Sequence, residues 1–258
     1  DIDIIIHCAG RAHLMKDNSD NPLRDYRLIN TQGTINLAKS AAVSGVKRFI
    51  FLSTAKVNGD ESVLGSPLSV SSPIQRLDFY TLSKLEAEQG LKKISCETSL
   101  EFTIIRPPLI YGVGAKGNLS SLSKVLSRRL PLPFGAIDQN RRSMIGIDNL
   151  LSVINCCVIN PNASNKIFLV SDNNDLSTRE LIRLLGISLG SPATLIYIPV
   201  SILRLFLIFP IFKKKLTRLL GSFQIDISYT CETLDWYPPY SVEDGFEKLR
   251  LLNNETDG

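Results

Sequence analysis

Lys47-Arg48-Phe49-Ile50-Phe51-Leu52-Ser53-Thr54 decides how this chain is read. A short, unbroken apolar run closed by hydroxyl residues is the pattern of a strand buried on both faces, as in a parallel sheet. A second run of that kind lies upstream, Asp1-Ile2-Asp3-Ile4-Ile5-Ile6-His7-Cys8-Ala9-Gly10, and a third downstream, Phe102-Thr103-Ile104-Ile105-Arg106, ended by Pro107-Pro108. Helical patterns separate them, from about Leu23 to Val43, stopped by Gly45, and from about Phe79 to Lys93, after a loop rich in Gly, Ser and Pro. Strands alternating with helices of this length predict βαβ units, and so an α/β fold around a parallel sheet.

The rest of the chain changes character. From about Gly112 to Gly146 it carries Ser, Arg, Pro and Gly with only short periodic pieces. Asp148 is expected to cap a helix running to about Ile159, and Ile167-Phe168-Leu169-Val170-Ser171 reads as a fourth strand. Ser177-Thr178-Arg179-Glu180 has the spacing of a capping box ahead of an apolar helix. The most apolar window, Thr194 to Phe212, approaches membrane-spanning length. Pro199 and Pro210 interrupt it, and Arg204 near its centre would cost roughly 2.5–3.5 kcal/mol in a span. A packed or interfacial helix is expected there, with peripheral membrane contact through 194–215 open to it because Lys213-Lys214-Lys215 follow.

Composition excludes several classes. The chain has 258 residues, 44% apolar and 21% charged, which is globular rather than disordered or fibrous. A net charge of +4 without an arginine tract gives no reason to expect nucleic acid. Five cysteines, Cys8, Cys96, Cys156, Cys157 and Cys231, form no C-x-x-C, and only two histidines accompany them. Neither a metal centre nor a disulfide framework is expected, and a reducing, cytoplasmic setting fits.

Tyr80-Thr81-Leu82-Ser83-Lys84 sets a phenol and an ammonium at i and i+4, on one helical face. A positive charge one turn away should lower the phenol's pKa from its ordinary value near 10 and make it an acid/base for an alcohol oxygen. Ser53-Thr54, at the carboxyl end of the preceding strand, could hydrogen-bond the same oxygen, and Asn30 sits in mid-helix, where a buried amide needs partners.

An ordered set of motifs runs through nearly the whole chain: His7-Cys8-Ala9-Gly10, Asn30-Thr31-Gln32-Gly33-Thr34, Phe51-Leu52-Ser53-Thr54, Tyr80-x-x-x-Lys84, Arg106-Pro107-Pro108-Leu109-Ile110-Tyr111-Gly112, Lys116-Gly117-Asn118, Arg141-Arg142-Ser143 with Asp148-Asn149-Leu150, and Leu234-Asp235-Trp236-Tyr237-Pro238-Pro239. In this order it resembles the extended short-chain dehydrogenases/reductases, and within them the nucleotide-sugar epimerase/dehydratase family. That resemblance implies a Rossmann-like doubly wound sheet, N-terminally incomplete, with NAD or NADP as cofactor and a nucleotide-diphosphate sugar of the UDP-hexose type as substrate. Tyr80 would be the acid/base, and Lys84 would bind the nicotinamide ribose and tune Tyr80. Thr54, beside Ser53, would bind the C4 oxygen, and Asn30 would support the site. Ala9 and Gly10 would admit the dinucleotide, Pro107 would line the nicotinamide pocket, and Asn118 and Arg142 would hold the diphosphate. Homodimerisation through the helices 23–43 and 79–93 would follow.

The resemblance also divides the chain. Residues 1–112, rejoined by 143–172, would belong to the dinucleotide-binding domain, and 113–142 with 173–258 to the substrate-binding region. Phe51 to Gly59 is most similar to UDP-glucose 4-epimerase-like proteins and 4-ketoreductases of O-antigen sugar synthesis, a route to surface polysaccharide. Thr54-Ala55-Lys56 stands where 4,6-dehydratases carry Thr-Asp-Glu, which disfavours dehydration. Leu109 and Ala12 replace the Asn and Lys of many epimerases. A sterol- or flavonoid-type reductase and a non-catalytic fragment are the competing readings. No Gly-rich dinucleotide turn precedes Tyr80. The first βαβ unit, including the residue that selects NAD or NADP, is therefore expected upstream of Asp1, and residues 1–258 alone are expected to bind cofactor weakly.

Overall fold

The structure is a computed structural model that describes residues 2–12, 19–75, 77–113 and 118–256, without the side chains of 118, 211, 212, 214 and 252–256. Four parallel strands form the main sheet in the order β1 (Ile4–His7), β2 (Arg48–Leu52), β3 (Glu101–Arg106), β6 (Lys166–Leu169). The register sets Ile6 beside Ile50, Ile50 beside Thr103 and Thr103 beside Lys166. A separate two-stranded parallel sheet joins β4 (Leu109–Tyr111) to β5 (Met144–Gly146).

Helices cover both faces of the main sheet, because successive strand side chains point to opposite sides. On one face Phe49, Phe51, Phe102 and Ile104 pack against α2 (Gly33–Val43) and α3 (Phe79–Glu97) through Ala38, Ala41, Ala87, Leu91 and Ile94. Gly90 lets those two helices close up, since a Cβ there would stand 2.5 Å from Ile35 Cδ1. On the other face Ile50, Ile105 and Phe168 meet α5 (Ile147–Ile159) and α9 (Ser228–Leu234) through Leu150, Val153, Ile154, Cys157 and Cys231. This two-faced packing is the α/β architecture expected. β1 is an edge strand among the described residues, and Ile2 and Ile6 are exposed on it.

A third cluster joins the smaller sheet to α4 (Asn118–Leu126), α6 (Thr178–Ser188) and α10 (Val242–Thr256) through Tyr111, Leu119, Met144, Ile182 and Phe246. The capping box at Ser177 and Glu180 is present, each side chain bonded to the other's backbone N–H.

Three expectations need correction. The helix over 23–43 is not uniform: α1 (Pro22–Tyr26) passes into a π-helical segment, Arg27–Gln32, before α2. The helix expected to start at Asp148 starts at Ile147, with Asp148 in its first turn. The N–H of Gly146 ahead of it is held by Asp172 through both carboxylate oxygens, at 2.9 and 3.1 Å. The apolar window 194–212 is not one helix. It breaks into α7 (Val200–Leu205), a 3₁₀ turn (Phe206–Ile208) and the start of α8 (Pro210–Leu220), and Pro199 and Phe209 cap the two helices. No helix among the described residues is long and apolar enough to cross a membrane.

Candidate active site

The carboxyl ends of β1, β2 and β3 and the first turns of α3 converge on one constellation, the place where parallel α/β sheets hold ligands. Backbone bonds carry the ladder past the strands: Ser53 N–H donates to Ile105 O at 2.8 Å, and Ala55 N–H to Pro107 O at 2.9 Å. Thr54 and Pro107 are thereby held side by side, both buried. Thr54 caps the 3₁₀ turn Ala55–Asn58 through a long bond from Lys56 N–H, 3.4 Å. Its own hydroxyl proton has no acceptor among the described residues.

Helix α3 presents Tyr80 and Lys84. Asp78 caps it, accepting the Thr81 N–H at 2.8 Å. Burial pulls the Asp78 carboxyl up, but the Thr81 N–H and hydroxyl, Lys56 and Arg218 outweigh that and hold it below the usual range. Tyr80 lies edge-on to Tyr26, 6.2 Å between ring centres. Burial, then Asp78 and Tyr26, push its phenol up to about 12. The expectation that Lys84 lowers the phenol's pKa is therefore not met in this state. The Lys84 ammonium turns instead to Leu52 O, 2.9 Å away, and to the face of Phe51, 4.5 Å from the ring centre. Burial draws that ammonium down to about 8, against the opposing pull of Cys8 and Glu88.

Asn30 is the hub of the site. The π segment turns it inward, and its Nδ2 donates to Ser83 Oγ at 2.9 Å and to Arg11 O at 3.1 Å. Its Oδ1 accepts from Arg11 N–H at 2.7 Å, while Ser83 Oγ donates to Tyr80 O at 2.7 Å. The buried amide thus ties the end of β1 to the helix that carries Tyr80 and Lys84. Gly10 completes the corner: a Cβ there would come within 3.2 Å of Asn30 Oδ1 and 3.3 Å of Lys84 Nζ. Its missing side chain leaves a gap bordered by an amide oxygen and an ammonium. Ala9, beside it, is exposed.

Two predicted residues stand differently. Ser53 does not point its hydroxyl into the open site; the group is buried and donates to Glu88 Oε1 at 2.5 Å. Arg142 stands apart from Lys84, between β5 and α8, where its Nη1 donates to Arg218 O at 2.8 Å and Gly221 O at 3.0 Å. Burial, and then the neighbouring Arg218, lower its pKa. Glu61 and Asp60 pull it the other way, and the planar fork of Arg142 is of the kind that matches phosphate oxygens. Asn118 opens α4, but its side chain lies outside the described residues, as do Lys116 and Gly117.

The sequence reading missed Glu88, Arg218 and the role of Arg106. Glu88 follows Lys84 at i+4, so Tyr80, Lys84 and Glu88 form one stripe along α3, a signal present in the spacing. Among the described residues no group of His, Cys, Asp and Glu is placed to hold a metal. A surface cavity of about 460 Å³, lined by Asn21, Arg24, Arg27, Leu28 and Gln32, lies on the outer side of the helical stretch and includes none of these site residues.

Comparison with known proteins gives the family and the fold. The model of the NAD dependent epimerase/dehydratase family matches residues 1–135. The chain is similar to a protein of Vibrio cholerae described as UDP-glucose 4-epimerase, 45% identical over 247 residues, covering 95% of this chain and 75% of that one. In fold it is similar to UDP-glucose 4-epimerase of Thermotoga maritima solved with UDP-glucose (TM-score 0.76, 19% identity, 99% of this chain and 78% of that one). It is likewise similar to UDP-glucuronic acid 4-epimerase of Bacillus cereus solved with NAD (TM-score 0.74, 20% identity, 98% and 76%).

Proposed function

The chain belongs to the NAD dependent epimerase/dehydratase family, and from that premise we propose that it acts as a nucleotide-sugar 4-epimerase on a UDP-hexose-type substrate, with NAD or NADP as cofactor. The observation that carries the reading is the corner where Lys84 Nζ and Asn30 Oδ1 border the space left by Gly10, one helical turn from Tyr80. Lys84 has three donors, one engaged by Leu52 O, and no carboxylate within ion-pairing distance among the described residues. An ammonium so placed, beside a missing side chain, fits a ribose diol, and the residues present therefore suit a dinucleotide.

When bound, the nicotinamide group supplies hydride exchange at C4 of the sugar. Tyr80 takes the proton of the C4 oxygen or returns it. In the state described here the phenol is protonated across the neutral range, because burial holds it near 12, so it stands ready as the acid. Thr54 offers its hydroxyl proton to the same oxygen. Arg142, with Arg218, receives the diphosphate. Asn30 and Ser83 hold α3 in place behind these groups.

Reduction of a 4-keto sugar would use the same residues, and the similarity of Phe51–Gly59 to enzymes of O-antigen sugar synthesis supports a product destined for surface polysaccharide. A homodimer through α1, α2 and α3 is part of the proposal; exposed Leu28, Ile29 and Leu37 support it. The test is incubation of the complete protein with UDP-hexoses and NAD, and separately with a UDP-4-ketosugar and NAD(P)H. Interconversion of C4 epimers without net cofactor consumption is expected. Stoichiometric oxidation of NAD(P)H would move the assignment to ketoreductase. Failure of UDP to raise the unfolding temperature would point to the sterol- or flavonoid-type alternative, since a ligand of the native state must stabilise it.

A further inference from the structure

The window from 194 to 220 folds as a helical hairpin with two unlike sides. Its inner side is anchored in the protein: Leu203 and Leu216 are buried against Ile137, with Phe134, Ile198, Val200 and Leu219 packed around them. Its outer side is apolar and uncovered. Ile202, Leu205, Phe206, Ile208 and Phe209 are all exposed, Ile208 to 77% and Leu205 to 62%. On either side of the half-buried Leu207, the turn between α7 and α8 thus presents large apolar side chains to solvent, which a soluble surface rarely tolerates without a purpose. Tyr197, exposed to 71%, stands beside them.

Charge says what kind of partner covers this side. Between Glu180 and Asp226 there is no acidic residue, while Arg183, Arg204, Lys213, Lys214, Lys215 and Arg218 are basic. Arg204, Lys213 and Lys215 are exposed next to the apolar tip. An apolar tip beside cations, on a segment that carries no carboxylate of its own, is complementary to an anionic bilayer, in which the tip enters the acyl boundary and the cations meet headgroups. Because no helix of the described residues is long and apolar enough to cross a membrane, the hairpin lies on the membrane rather than through it.

We propose that the α7–α8 hairpin is a monotopic docking surface for an anionic phospholipid bilayer. It binds by two signals together, insertion of Leu205, Phe206, Ile208 and Phe209 and attraction through Arg204, Lys213 and Lys215. Neither signal alone holds a protein stably on a membrane. The docking does not depend on which reaction the site performs.

The test is sedimentation of the full chain with vesicles of phosphatidylcholine alone and of phosphatidylcholine with phosphatidylglycerol, at low and high salt. The expected result is pelleting with the anionic vesicles, weakened by salt, and little with phosphatidylcholine alone. Each cation near an anionic surface is worth about five-fold in partitioning, so K213E/K215E should lose more than ~25-fold. I208S/F209S should also abolish pelleting. All four substituted side chains, Ile208, Phe209, Lys213 and Lys215, are exposed, so both variants should keep the wild-type unfolding temperature and confine the change to binding. The proposal is overturned if wild type stays in the supernatant with anionic vesicles, or if neither variant alters pelleting. It is equally overturned if sedimentation velocity shows a self-associated chain that I208S/F209S dissociates, because a second copy would then own the face.

Discussion

Glu88 and Arg106 meet in the interior, almost without exposure, through two hydrogen bonds: Nε to Oε1 at 2.9 Å and Nη2 to Oε2 at 2.5 Å. Around this pair Ser53 Oγ donates to Glu88 Oε1, and Arg106 Nη1 donates to Asn58 Oδ1 at 2.9 Å. One ion pair therefore joins α3, the end of β2, the end of β3 and the turn after Thr54. A charge buried without its partner is costly, so Glu88→Ala or Arg106→Ala should each destabilise the protein by about 3–5 kcal/mol. The double variant Glu88→Met/Arg106→Met should lose less than the sum of the single changes. Urea unfolding of the three variants checks this, and additive losses would refute the coupling.

Lys84 gives stability a rise with pH on the alkaline side. Its folded pKa is drawn down to about 8 from the ordinary 10.5, chiefly by burial. Below about 8 both states carry the proton, and the cost of burying the charge is present in full. Between about 8 and 10.5 the unfolded chain binds more protons than the folded one, so stability rises with pH through that window. The gain is on the order of 3 kcal/mol at its upper end. Denaturant midpoints of wild type and Lys84→Met, compared from pH 7 to 10.5, should converge as the pH rises.

Tyr80→Phe removes the proton donor and keeps the ring that packs edge-on against Tyr26. Turnover of the sugar nucleotide should drop by roughly 10²–10⁴-fold, the usual worth of a placed acid/base. UDP should still raise the unfolding temperature of this variant as it does for wild type. A loss of both would mean that the phenol is structural.

Arg142→Met should weaken UDP binding by roughly 10–100-fold, the loss of one or two hydrogen bonds to a charged group. It should also remove a charge whose pKa is lowered first by burial and then by Arg218, against the pull of Glu61 and Asp60, and this should offset much of the loss of its bonds to Arg218 O and Gly221 O, so stability without ligand should fall little. Titration calorimetry with UDP, beside thermal unfolding without it, separates the two effects.

Much of this was legible in the sequence. The runs at Ile4–His7, Arg48–Leu52 and Glu101–Arg106 announce buried parallel strands because periodicity and length are local properties. Tyr80 and Lys84 lie on one face of α3 as their spacing requires. What escaped depends on distant partners. The start of α5 is set by Asp172, 26 residues beyond the Gly146 N–H it accepts, and Asp148 looked like the cap only because it was nearby. Ser53 resembles a site hydroxyl until Glu88, 35 residues away, claims it. The hydropathy of 194–212 is high throughout, yet the backbone bends at two prolines, and composition could not say which side would be left uncovered.

The π segment Arg27–Gln32 inserts one extra residue into a helical turn, and each residue turns an α-helix by about 100°. Removing any single residue there would restore ordinary winding and rotate everything downstream by that angle. Thr34, Ala38 and Ala41, now the buried edge of α2, would swing away from the sheet, and the exposed Leu37 would not replace them on the same line. The segment sets the phase of the following helix. The length of the chain between Pro22 and Val43 is thus fixed to the residue, while its exposed side chains can be exchanged.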